Sequence, residues 1–245
     1  MADRGFYITL PSNACASVFP QNSASAFTIR LVRPLDLAGA WDVGLVEIQY
    51  PHSWNTLAED GTFGIIDGER RWGFKVPRGF YSSIPDLVGK MNSIMTSHQY
   101  LPELSLDYDR VIRKVILKAP PTYTFSASTE LAHLLGSVPH KAVQRILFTA
   151  DITGGFNTLY IYTDIVEHQI VGDAYVPLLR CIPVRGETGD CVNNIYDKPH
   201  YIPVNKHHID TITIEIKTDQ NKNMLFRFGK VIVKLHFRPR KGLLF

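Results

Sequence analysis

The run NTLYIYTDIVEHQIVGDAYVPLLRCIPV, residues 157–184, decides the fold. It has two limbs rich in β-branched and aromatic residues, separated by Gly172-Asp173, so both limbs are expected to be strands. In the first, Leu159 and Ile161 share one face, and Tyr160, Tyr162 and Asp164 share the other. In the second, Val176, Leu178, Ile182 and Val184 oppose Tyr175, Leu179 and Cys181. Strands this apolar on both faces are expected in the interior of a sheet, covered on both sides.

The same alternation extends outward. Phe6 to Leu10 and Phe27 to Leu31 read as half-buried strands, the second ending at Pro34. Trp41 to Tyr50 changes phase between Leu45 and Val46, which predicts a bulge or a strand covered on both faces. Residues 61–76 read as a hairpin turning at Asp67-Gly68, and residues 105–118 as another. Residues 186–194 read as a polar loop. Ile212, Ile214 and Ile216, then Val231, Val233, Leu235 and Phe237, mark two further half-buried strands near the C-terminus. Two short helices interrupt this pattern. Ser83-x-x-Asp86 has the form of a capping box ahead of Leu87, Val88, Met91, Ile94 and Met95. Ser128 caps a second helix with Leu131, Leu134 and Leu135 on one face and Gly136 at its end. Both are expected as lids over open ends of the β structure. About a dozen strands with no repeat predict an all-β protein, one β-sandwich over residues 1–245 with two short helical insertions, and jelly-roll topology leads at this size.

Charge is distributed unevenly. No acidic residue follows Asp219, whereas Lys222, Arg227, Lys230, Lys234, Arg238, Arg240 and Lys241 all do, in a chain of net charge +3. That end is expected either to meet something acidic or to be a solvated strand edge. Three cysteines, Cys15, Cys181 and Cys191, with no Cys-x-x-Cys pair, predict reduced thiols and an intracellular setting. Cys181, within an apolar strand, is expected to be a buried, inert thiol. No run reaches the roughly 18 apolar residues of a membrane span, and no secretory signal is expected.

Chemistry is sparse. Gly154-Gly155 is an isolated pair that reads as a turn, not a nucleotide loop. His207-His208-x-Asp210 has ligand types, but adjacent strand residues face opposite ways, so one ion is poorly served. Asp164 and Glu167-His168 could supply an acid and a base, but such residues at a strand end read first as loop anchors. No catalytic residue, cofactor or metal is expected. The competing readings are a carbohydrate- or ligand-binding β-sandwich module and a cupin-like jelly-roll metalloenzyme, although the His-x-His pair usual in cupins is missing.

Several segments carry a likeness. YIYTDIVEHQIVGD (160–173), PLLR (177–180), PHY (199–201), IDTI (209–212) and the stretch from Gly229-Lys230 to His236-Phe237-Arg238 resemble the penton (minor capsid) proteins of Polinton/Maverick elements and adintoviruses. YSSIPDL (81–87) and ELAHLLG (130–136) are similar to other segments of those proteins. The resemblance implies a single jelly-roll capsid domain with a short N-terminal arm and a basic tail from about residue 239 to 245. It implies a non-enzymatic protein that forms homopentamers at the fivefold vertices of an icosahedral virion capsid, after assembly inside the host cell. The implied partners are further copies of itself, a double-jelly-roll major capsid protein, and packaged DNA through the basic C-terminal end. Arg238, Arg240 and Lys241 would then face the capsid or genome. Exposed loop aromatics Trp54, Phe80, Tyr81 and Tyr196 are candidates for the contact between subunits.

Overall fold

The computed structural model describes residues 5–97 and 104–240. The chain divides into two compact units, one formed by residues 1–53 and 156–245, the other by residues 54–155 inserted between them. In chain order the first unit opens with β1 (Phe6–Pro11), β2 (Ala26–Asp36) and β3 (Trp41–Pro51). The insert holds β4 (Gly61–Asp67), β5 (Arg70–Val76), α1 (Ile84–Thr96), β6 (Ser105–Asp109), β7 (Lys114–Lys118), β8 (Tyr123–Ala127) and α2 (Thr129–Leu135). The first unit resumes with β9 (Thr158–Thr163), β10 (Gln169–Val171), β11 (Ala174–Val176), β12 (Leu178–Pro183), β13 (Cys191–Ile195), β14 (Tyr201–Pro203), β15 (His208–Lys217) and β16 (Ile232–Pro239).

Eight of the first unit's strands pair as one long hairpin folded back on itself. β1 pairs with β16, β2 with β15, β3 with β13 and β9 with β12, all antiparallel. Rolling that ribbon adds the contacts of β16 with β3 and of β15 with β9. Two sheets result, ordered β1-β16-β3-β13 and β12-β9-β15-β2. This is a jelly-roll sandwich, as the strand pattern and size predict. Alternation explains the interior: Leu10, Phe27, Ile29, Leu159, Ile161, Ile212, Ile214, Ile216, Val233, Leu235 and Phe237 are all buried. Each such side chain removed from water stabilises the fold by roughly 1.5–3 kcal/mol. The expected bulge in β3 is present, since Lys234 faces Glu47 while Leu235 faces Leu45, leaving Val46 unmatched.

The second limb of the decisive stretch differs from expectation: it is two strands, β11 in a two-stranded sheet with β10, and β12 in the sandwich. β9 is an interior strand, but β12 lies at the sheet edge. The register also slips at Leu179, because Leu178 faces Tyr162 and Arg180 faces Ile161. The extra residue turns Leu179 inward with Ile182 and leaves Cys181 on the exposed side. The Cys181 thiol is therefore not a sealed core group, although partial burial still pushes its pKa up. β13 was also hidden in what reads as a polar loop. Only Val192 and Asn194 point inward there, too few apolar residues to announce a strand.

The insert has its own interior. β5, β4 and β8 form a sheet, β6 and β7 a hairpin, and α1 and α2 join them around Phe63, Phe74, Leu87, Met91, Met95, Leu106, Phe125, Leu131 and Leu135. The helices thus help to build a second core instead of serving only as lids. Ser83 caps α1 by accepting from the Asp86 N–H at 3.3 Å. The Ser128 hydroxyl makes no cap to α2 and accepts instead from Thr62 N–H at 3.1 Å. The β4–β5 turn falls on Gly68-Glu69, one residue later than expected, with Gly68 in the left-handed region at φ +57°.

Candidate assembly surfaces

The C-terminal strand places its basic residues on the outer face of the β1-β16-β3 sheet, since Val233, Leu235 and Phe237 point inward. Arg240 Nε donates to Asp42 Oδ1 at 2.9 Å, and the Arg238 guanidinium lies 3.6 Å from Asp42 Oδ2. Asp42 is 8% exposed, so one nearly buried carboxylate balances part of the positive charge expected to face a partner. Arg238 also stands over the Tyr201 ring at 3.5 Å, a cation–π contact that fixes its direction. Tyr201 Oη and His236 Nδ1 are 2.7 Å apart, and His236 packs against Tyr7. Burial, then the neighbouring Arg238, lower the His236 pKa, so this ring resists protonation more than a free imidazole does. Lys241 and the rest of the expected tail lie outside the described residues.

The four aromatics differ in their surroundings. Phe80 is exposed. Trp54 is half-buried. Tyr81 is half-buried too; it packs on the insert's core and donates its hydroxyl to Pro77 O at 2.7 Å. Tyr196 follows β13 and is half-buried beneath Arg180, whose guanidinium sits 3.6 Å from the ring centroid. Burial pushes the Tyr196 phenol up. Among the described residues the Tyr196 hydroxyl and Asn194 Nδ2 make no well-formed hydrogen bond, although Arg180 lies close to the first and the Tyr50 hydroxyl close to the second. These polar atoms adjoin a hollow of about 390 Å³ lined by Arg185, Asn194 and Tyr196.

Further apolar surface is presented on three segments that sequence reasoning did not single out. The β10–β11 hairpin sets Ile170 directly across from Tyr175, both exposed. On the insert, the β6–β7 turn exposes Val111 and Ile112, and the segment after α2 exposes Leu147 and Phe148. For Val111, Ile112, Leu147 and Phe148 the signal in the sequence was apolar residues in turns and loops, where solvation normally selects polar ones; Ile170 and Tyr175 lie in short strands and gave no such signal.

The residues with chemical promise serve as anchors. His208 Nδ1 meets Asp36 Oδ1 at 2.7 Å, and this bond and charge raise the His208 pKa. His207 Nδ1 lies 3.3 Å from Leu37 O, so the two histidines do not converge. Asp164 accepts from Lys206 Nζ at 2.7 Å and from Thr213 N–H at 2.8 Å, tying β15 to the end of β9. His168 packs against Tyr175. Gly154 and Gly155 both have positive φ, in a turn organised by Asp151, which accepts from Thr153 and Gly155 N–H. Among the described residues no group of three or more His, Cys, Asp or Glu is placed to hold a metal ion. No described helix is long and apolar enough to cross a membrane.

No protein-family model matches the chain, and no curated protein does. Solved structures do. The crystal structure of the mavirus penton protein is similar over 96% of this chain and 98% of its own, with TM-score 0.54 and 10% identity. A chain in the cryo-EM structure of the Sputnik virophage is similar over 97% of this chain and 98% of its own, with TM-score 0.54 and 9% identity. At those identities the likeness establishes a shared fold.

Proposed function

We propose that this protein is a structural penton subunit of a viral capsid, which assembles as a homopentamer at the fivefold vertices of an icosahedral shell. The observation that carries the reading is the extent of the likeness to the mavirus penton protein. It spans 96% of this chain and 98% of the other, too much to leave out residues 54–155. A jelly roll alone serves many functions. A jelly roll interrupted after its third strand by a unit with its own core is a narrower match. In this reading residues 1–245 act as one subunit, with no catalytic role. A closed ring requires two different surfaces on each subunit, because a heterologous contact joins unlike patches.

The same reading makes a double-jelly-roll major capsid protein the neighbour and the virion the destination, reached after assembly in the nucleus or cytoplasm of the host cell. The basic C-terminal end, Arg238, Arg240 and Lys241, is the part assigned to packaged DNA or to an adjoining capsomer. Imaging of assembled particles carrying a small label on this chain tests the placement. Label confined to fivefold vertices is expected; label spread over the facets, or absent from particles, would reject it.

A further inference from the structure

Two patches on this chain expose apolar side chains and carry charges of opposite sign. The first is the β10–β11 hairpin. Ile170 is 83% exposed and Tyr175 70%, and direct pairing puts their side chains on one face. Glu167 stands at its base and Asp173 at its Gly172-Asp173 turn; both are exposed, and neither has an ion pair among the described residues. The second patch is on the insert and comes from two loops. In the β6–β7 turn Asp109 Oδ1 accepts from Val111 N–H at 2.8 Å and Ile112 N–H at 3.2 Å. That carboxylate is thereby committed inward to the backbone, and Val111 is left 90% exposed. The segment carrying Leu147 and Phe148 is tied alongside. Lys114 Nζ donates to Leu147 O at 2.7 Å, and Ala150 N–H donates to Arg113 O at 2.8 Å. Ile112, Leu147 and Phe148 are each more than half exposed. Arg110, Arg113 and Arg145 lie in the same two loops, exposed and without an ion pair among the described residues.

We infer that the acidic, apolar β10–β11 hairpin of one copy docks on the basic, apolar 109–114 and 145–148 loops of the next copy. The inference rests on the ring reading above and deepens it by naming the two unlike surfaces that a ring needs. Both patches are apolar at the centre and charged at the rim, the usual anatomy of a specific interface. Their charges are opposite, with Glu167 and Asp173 facing Arg110, Arg113 and Arg145, which favours hairpin on loops over either patch on its own copy. A self-complementary contact would set like charges together and would give a closed pair, not a ring.

Charge reversal tests it. Native mass measurement across a dilution series would compare the unaltered chain, E167K/D173K, R110E/R113E, and all four substitutions together. All four positions are exposed, and a far-UV spectrum checks each fold. Rings that dissociate at about tenfold or higher concentration in each reversed variant, and recover in the combined variant, are the expected result. Rings of unaltered stability in either reversed variant, or no recovery in the combined one, would overturn the contact while leaving the ring reading in place. A chain that is monomeric without substitution would overturn both. Should a reversed variant lose its fold, I170S and V111S make the same test. Each is expected to weaken the ring, and rings indifferent to both would overturn the contact.

Discussion

The jelly roll and the insert each bury an apolar interior, but they assemble it across very different distances along the chain. In the jelly roll the first strand pairs with the last, Phe6 with Phe237, and the second with the seventh, Thr28 with Thr213. In the insert β4 meets β5 across a two-residue turn and β6 meets β7 across four residues. Loop closure must be compensated before a distant contact contributes, so the insert is expected to order first and to persist alone longest. The jelly roll, whose third and fourth ribbon strands flank the insert, depends on its final strand. The proposed docking surfaces, one on each unit, would thus rest on supports of unlike cooperativity.

The largest effect expected is from Phe237→Ala. This ring is fully buried and stacks on Phe6 with centroids 5.0 Å apart. Its loss should cost about 3–5 kcal/mol. Hydrogen exchange should show protection falling across β1, β3 and β16 while α1 and β4 stay protected. Uniform loss in both units would show that the jelly roll and the insert unfold as one. Phe125→Ala, at the centre of the insert, is the mirror test with a similar cost and the opposite pattern.

Gly136→Ala should come next. Gly136 ends α2 at φ +73°, and an added Cβ would lie 2.4 Å from Phe148 O. Left-handed strain alone costs about 1–3 kcal/mol, so the insert's unfolding midpoint in urea should drop clearly. Asp42→Asn acts on the jelly roll. It leaves Arg238 and Arg240 without their shared carboxylate, but both arginines are substantially exposed, so solvent screening limits the loss to about 1 kcal/mol. A midpoint unchanged within error would show that this pairing orients the strand end without stabilising it.

The smallest effect is from pH. The folded His236 pKa is lowered, so protonation is easier in the unfolded chain. The jelly roll's stability should be whole above about pH 6.5 and should decline as pH falls through the lower folded value. His236→Gln should flatten that dependence, read by denaturation at pH 7.5 and pH 5, with no change in the insert. His208 acts in the opposite sense: its raised pKa adds stability below about pH 6.5 that is lost as pH rises through the folded value. A slope that persists undiminished in the Gln variant would assign the effect to other groups.

Strict alternation made much of the jelly roll legible. Ile212, Ile214 and Ile216 in β15 and Val233, Leu235 and Phe237 in β16 declare their inward face outright, and the phase change at Val46 announced its bulge. What stayed hidden had physical causes. The bulge at Leu179 reversed the faces of β12 without any change in composition, so Cys181 was assigned inward. β13 carries Asn194 at an inward position, which reads as loop. The separate core of the insert was invisible because α1 and α2 each show one apolar stripe, and a stripe does not say which sheet covers it. The surfaces were harder still. Trp54, Tyr81 and Tyr196 stood out as aromatics but are half-buried, whereas Val111 and Ile170 were too ordinary to notice.

Counting the copies in a purified sample, by native mass spectrometry of the chain alone, addresses the assembly claim most directly. The account predicts a species of five times 27.7 kDa that persists on dilution to the range where a specific interface holds. A single species of 27.7 kDa at every concentration would contradict it.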